Sequence, residues 1–177
     1  VALSRGILTN YTATTSRSDS DITLQAVQGE GQAVQFGTGF DERVLDDVRR
    51  MPEVKSASGM LFSLAQVPGA PFFIVFGYEP DARGIQRYKI VEGVSLAEHR
   101  SRRGGKPLIL GTLAADKLHK GVGDTVRIEE VTFRVVGLYE TGVAMDDSGA
   151  VIALRDAQAL TDMPRQVMYV GMQLYQP

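Results

Sequence analysis

"LILGTLAADKLHKGVGDTVRI", residues 108–128, packs an apolar strand, a short helix, a glycine-containing turn and a second strand into very few residues. Glycine turns beside helices often hold phosphates. The first question is therefore whether Gly121, Gly123 and Asp124 form a ligand site or a corner of the fold. Leu113, Ala114, Lys117 and Leu118 recur at helical spacing, with Leu113 and Leu118 leaning to one face. Gly121 stands where a helix end favours a left-handed residue, and His119 and Lys120 suit the negative end of the dipole. A phosphate loop runs in the opposite order, glycines first and then a helix whose N-terminus faces the anion. Here the glycines follow the helix and lead into Thr-Val-Arg-Ile, a strand, and no Gly-Lys-Ser/Thr tripeptide is present. The stretch reads as a corner.

Outward from this corner, strand patterns dominate. Upstream, Ile22, Leu24 and Ala26 alternate with polar residues as a half-buried strand does. Phe40, Val44, Leu45, Val48 and Met51 mark one face of a helix over 41–51, with Asp41 and Glu42 in its first turn and Pro52 at its end. Alternation returns over 54–66, with Met60, Phe62 and Leu64 on one side, and "QVPGAPF" (66–72) is a turn leading to the apolar strand "FFIVFGY" (72–78), an antiparallel partner. Downstream, "EEVTFRVVGLYETG" (129–142) is a hairpin partner of 125–128. A loop "VAMDDSG", a strand over 150–154 and a short helix over 155–160 follow. "QVMYVGMQLYQP" closes the chain as a strand with Met168, Val170, Met172 and Leu174 on one face. Val1, Leu3, Ile7 and Leu8 suggest an amphipathic helix that the following Ser/Thr-rich run would fray. The pattern is mixed, mostly antiparallel α+β.

Bulk composition narrows the function. The 177 residues suffice for a sizeable core, and 44% hydrophobic with 23% charged residues is ordinary for a folded domain. A net charge of -2 gives no reason to expect nucleic acid. The chain has no cysteine, which excludes disulfides, thiolate zinc sites and a cysteine nucleophile. No stretch approaches the roughly 18 apolar residues that span a bilayer. The first residue is Val1, so a fragment or processed product is expected.

Candidates for chemistry are few. His99 and His119 each stand without a second ligand at metal-binding spacing. Asp146 and Asp147 offer oxygens to a hard cation, but Asp-Asp-Ser-Gly is also a good turn and a calcium loop needs more ligands. Ser148 lacks the nucleophile elbow. These residues give no catalytic, cofactor or metal site. "HRSRRGGKP" gathers Arg100, Arg102, Arg103 and Lys106, which reads first as a solvated hairpin tip and second as a contact for lipid phosphates or an acidic partner.

The ordered series of segments resembles a family. Leu110-Gly111, Leu113-Ala114, Gly123-Asp124, Val135-Val136-Gly137, Asp146 or Asp147, and Ala157-Gln158 with Leu160 follow the run of the MacB-like periplasmic core domain. That is the extracytoplasmic domain of FtsX/MacB/LolC-E-type ABC transporter permeases. Upstream, "MPEVKSASG" and "VFGYEP" resemble the family's helix-end proline and its strand ending in Gly and an acidic-Pro turn.

The resemblance implies an α+β fold: a porter-like α/β lobe with a mostly antiparallel sheet (21–84 and 161–177) and an inserted β-rich lobe (85–160). Residues 1–20 would follow a membrane span. It implies a place at the cell membrane, facing the periplasm or extracellular side. Its partners would be the permease's transmembrane helices, a separate ATPase subunit or domain, and a periplasmic adaptor or lipoprotein; none would be a nucleic acid. The role would be to couple ATP-driven membrane movement to substrate export, lipoprotein release or adaptor binding, without enzymatic activity. The first and last strands would then share one sheet, with the chain's two ends close together, and the β-rich lobe would carry Arg100–Lys106 outward. Both spans are absent, and the family's further helix and strand would follow Pro177. A free-standing extracytoplasmic module for a small ligand or peptide is the alternative. Four predicted spans around this segment in the full reading frame would separate the two.

Overall fold

The computed structural model describes residues 11–14, 22–26, 39–99 and 105–175. The helix expected from Val1, Leu3, Ile7 and Leu8 lies outside them. A strand not expected from the sequence, β1 (Tyr11–Thr14), pairs antiparallel with β2 (Ile22–Ala26). After β2 come β3 (Phe40–Asp41), α1 (Arg43–Arg49) and the long hairpin of β4 (Val54–Val67) and β5 (Ala70–Tyr78). A 3-10 turn (Arg83–Arg87) leads into β6 (Lys89–Gly93). Then follow β7 (Lys106–Gly111), α2 (Thr112–Leu118), β8 (Thr125–Ile128) and β9 (Val131–Glu140). The chain finishes with α3 (Ala144–Asp147), β10 (Ala150–Ala153), α4 (Leu154–Leu160), β11 (Gln166–Val167) and β12 (Tyr169–Leu174).

Ten strands form one mostly antiparallel sheet in the order β1-β2-β12-β4-β5-β10-β7-β9-β6, with β8 beside β9. Residues 85–160 and the rest of the chain meet where β10 runs parallel to β5, Ala150 opposite Val75. The last strand does return to the first: β12 lies between β2 and β4, with Met172 opposite both Ile22 and Ala57. Val44, Leu45 and Val48 of α1 join Leu24, Val170 and Met172 in the main core. Phe40 belongs to β3 rather than to the helix, because its backbone pairs with Val167.

The β4–β5 hairpin runs through both halves of the sheet. Fourteen residues of β4 span roughly 45 Å at strand rise, from Val54, opposite Leu174, to the Pro68-Gly69 turn. At that far end Glu129 N–H donates to the Gln66 carbonyl at 3.1 Å, and Gln66 N–H donates to the Glu129 carboxylate at 2.8 Å. The path β4-β5-β10-β7-β9-β8 thereby returns to β4, and its interior holds Leu61, Phe73, Val75, Leu108, Leu110, Ile128, Phe133 and Ile152. The side of β4 that alternation marks, Met60-Phe62-Leu64, is the outer one. Met60 and Phe62 pack on a second cluster around Phe76, Tyr88 and Tyr139, and Leu64 is exposed. The inward stripe is Ala57, Leu61, Ala65 and Val67, small enough at two positions to let α1 and the ring close over it.

The opening corner forms as a helix, a turn and a strand, with two changes of detail. Leu113 is exposed, while Ala114 and Ala115 are buried and Leu118 packs on the core. Alanines on the inward side let this two-turn helix sit close to the sheet. The left-handed residue after α2 is His119 (φ 54°), not Gly121. Gly123 takes positive φ (94°) in a turn closed by Asp124 N–H to the Gly121 carbonyl at 3.1 Å.

Candidate functional site

No helix among the described residues is long and apolar enough to cross a membrane. The two aspartates of "DDSG", expected in a loop turn, end the single-turn helix α3 (Ala144–Asp147), and both are buried. Asp146 pairs with Arg87 from the 3-10 turn. Asp147 accepts from Thr141 N–H at 2.7 Å, Thr141 Oγ1 at 2.8 Å and Gly142 N–H at 3.1 Å. Buried carboxylates so partnered are structural anchors: they hold the β9–α3 corner and bind it to the segment that follows β5. The Tyr139 hydroxyl donates to the Asp146 carbonyl at 2.6 Å, and the Tyr88 ring stands edge-on to Tyr139 at 4.9 Å. Burial is the chief cause that pushes both phenols well above the ordinary tyrosine range. Sequence reasoning missed this assembly. Its members come from 87–88, 139–141 and 146–147, and no spacing rule joins them.

A second polar node binds α1 to α4. The half-buried Glu42 carboxylate accepts from Arg155 Nη1 at 3.0 Å and Gln158 Nε2 at 2.9 Å, with Arg165 Nε 3.7 Å away. Beside it a groove of about 400 Å³ is lined by Phe40, Asp41, Arg43, Arg165 and Gln166. Its charges are matched internally: the Arg43 guanidinium hydrogen-bonds Asp41 and holds that carboxyl below the usual range.

Of the basic run proposed as a partner contact, Arg100, Arg102 and Arg103 lie outside the described residues. Lys106 opens β7, and its Nζ is 2.5 Å from Asp156 Oδ1 at the start of α4. His99 closes a turn by donating its N–H to Ser95 at 3.1 Å, and His119 caps α2. The Ser148 hydroxyl donates to the Ala144 carbonyl at 2.7 Å. The structure does not bring these residues together, and no group of three or more His, Asp or Glu able to hold a metal occurs among the described residues.

One end of the molecule gathers the start of β2, the start of β4 and the end of β12, and the other ends in the β4–β5 turn. Arg49 braces the first end by donating to the Ala57 carbonyl at 2.9 Å and to Glu79 at 2.7 Å.

The sequence profile of the MacB-like periplasmic core domain matches residues 1–175. No curated protein matches the chain in sequence. The fold is similar to that of the periplasmic region of MacB from Actinobacillus actinomycetemcomitans, with a TM-score of 0.69 at 12% identity over 87% of this chain and 74% of that one. It is also similar to the extracellular domain of the ABC-type transporter YknZ from Gram-positive bacteria, with a TM-score of 0.61 at 13% identity over 78% of this chain and 74% of that one. The profile match covers the α+β sheet, the corner at 108–128 and the returning last strand alike, and the chain belongs to the MacB-like periplasmic core domain family, the extracytoplasmic domains of ABC transporter permeases.

Proposed function

We propose that the domain is a stiff coupling element. It passes movement of the permease's membrane helices, driven by a separate ATPase, to a cargo or adaptor outside the membrane, and it catalyses no reaction itself. The observation that carries this reading is the course of β4. Its first half is hydrogen-bonded to β12, and its second half is part of the strand ring that ends at Pro68. A force entering at Leu174 therefore meets a strand that crosses the whole molecule, and hydrogen-bonded strands about 5 Å apart move together. The non-catalytic part of the reading is supported by the roles of the polar residues: Asp146, Asp147, Glu42 and Ser148 are all engaged with backbone or basic partners.

The test uses the full permease with its ATPase. A short Gly-Ser insertion after Tyr175 should leave ATP hydrolysis in place and abolish transport, because a slack joint stores no push. Full transport by that insertion variant would overturn the coupling reading. Hydrolytic turnover by the purified domain on a panel of ester, phosphate and peptide substrates would overturn its non-catalytic part.

A further inference from the structure

Where β4 stops, the seam of the strand ring opens into a groove of about 270 Å³. It is lined by Val67 and Pro68 of the hairpin, Leu118 and Lys120 at the end of α2, Thr125 and Arg127 of β8, and Thr132.

One wall of this groove is a strand edge. Val135 N–H donates to the Asp124 carbonyl at 2.9 Å, which sets the ladder between β8 and β9 at even-numbered β8 residues. The N–H and C=O of Thr125 and Arg127 therefore point away from β9 and into the groove. The next odd residue, Glu129, uses its outward N–H to bond Gln66. The edge is thus already half-used: β4 pairs with it at Glu129, then turns away at Pro68-Gly69. An extended chain entering beside Val67 would lie along this unused edge.

Charge selects among extended chains. Lys120 is exposed and makes no ion pair among the described residues. Arg127 adds a second cation, shared with Glu130 at 2.5 Å. The carboxylates of the two bounding turns are engaged, Asp124 by Gly121 N–H at 2.8 Å and Glu129 by Gln66 N–H at 2.8 Å. The side chains that line the groove itself include two cations, Lys120 and Arg127, and no carboxylate.

We propose that this groove takes an extended, acidic peptide segment of a partner protein, which adds as a strand to the free edge of β8. Backbone pairing supplies the main contact, Val67, Pro68 and Leu118 receive one apolar side chain, and Lys120 pairs with a flanking carboxylate. The site needs only the fold of this chain. On the permease reading it also lies at the end away from Leu174, facing outward. Its test below contains no transport step, so the two readings fail separately.

The probe is the blocked pentapeptide Glu-Val-Thr-Val-Glu, titrated into the isotope-labelled chain and followed by amide NMR. The expected result is shifts concentrated at the Thr125 and Arg127 amides, and weaker binding by about fivefold or more in Lys120→Glu. Thr125→Pro removes an outward N–H and none from the β8–β9 ladder. It should abolish binding while the Val135 amide stays protected from exchange. Shifts elsewhere, or none, would overturn the site. Equal affinity for Lys-Val-Thr-Val-Lys would overturn its acidic preference. The same shifts on raising protein concentration alone would assign the edge to a second copy of this chain instead.

Discussion

Ala157 of α4 lies directly over Gly77 of β5: a methyl group placed on Gly77 would sit 2.3 Å from the Ala157 Cβ. The helix that follows β10 thus rests on the strand beside β10 with no side chain between them. Gly77→Ala must push α4 off the sheet and is expected to cost about 2 kcal/mol. Ala157→Gly alone costs about 1 kcal/mol in helix propensity. Because it vacates the contested space, the double variant should be more stable than Gly77→Ala. Urea denaturation of the three variants checks this, and simple addition of the two losses would rule out the contact as the cause.

The Arg87–Asp146 pair differs from the surface pairs by burial. The Asp146 side chain is 7% exposed, whereas Arg50 and Asp47 are 76% and 60% exposed. Arg87→Ala strands a buried carboxylate and is expected to lose about 2 kcal/mol or more, while Arg50→Ala stays within about 0.5 kcal/mol of wild type. Equal thermal shifts for the two would refute the difference.

Gly123→Ala forces an alanine into φ 94° and should lower stability by about 1 kcal/mol. Gly121→Ala should be nearly neutral, since the nearest atom to its added methyl is Asp124 Oδ2 at 4.0 Å. Calorimetry on both variants separates a constraint set by backbone angle from one set by space.

Alkaline pH should unfold the domain through its buried phenols. Tyr88 and Tyr139 have folded pKa values raised above the ordinary 10.0, chiefly by burial. The unfolded chain therefore releases those protons first. The stability they contribute is fully present below about pH 10 and falls as pH rises beyond it, by about 1.4 kcal/mol per pH unit per group. Tyr88→Phe should flatten the decline between pH 10 and 12 by its one-group share. An unchanged slope in a denaturation series would refute this.

Sequence periodicity located the elements because it reports burial, on one face in α1 and β12 and on both faces in β5 and β9. It could not tell which face of β4 is inward, since both faces of that strand meet apolar neighbours: Leu61 in the ring and Phe62 against Phe76 and Tyr169. Pattern alone could not show that β8 touches β4, because the contact is two hydrogen bonds between residues 66 and 129. The groove beside them was illegible for the same reason. Its lining is an ordinary alternating strand whose unused edge shows only when its neighbours are known.

The position of β12 also sets the order in which the molecule can be made. It follows every other described strand in the chain, yet it occupies an inner slot between β2 and β4. Until it arrives, those two strands each present a bare edge, the template on which stray chains pair. Pairings so distant along the chain also form slowly. A newly made copy is therefore expected to pass through a stage with an open sheet that lasts until β12 is delivered. Variants that slow insertion of Val170 or Met172 should show first as lost yield and aggregation, before any loss in the activity of the molecules that do fold.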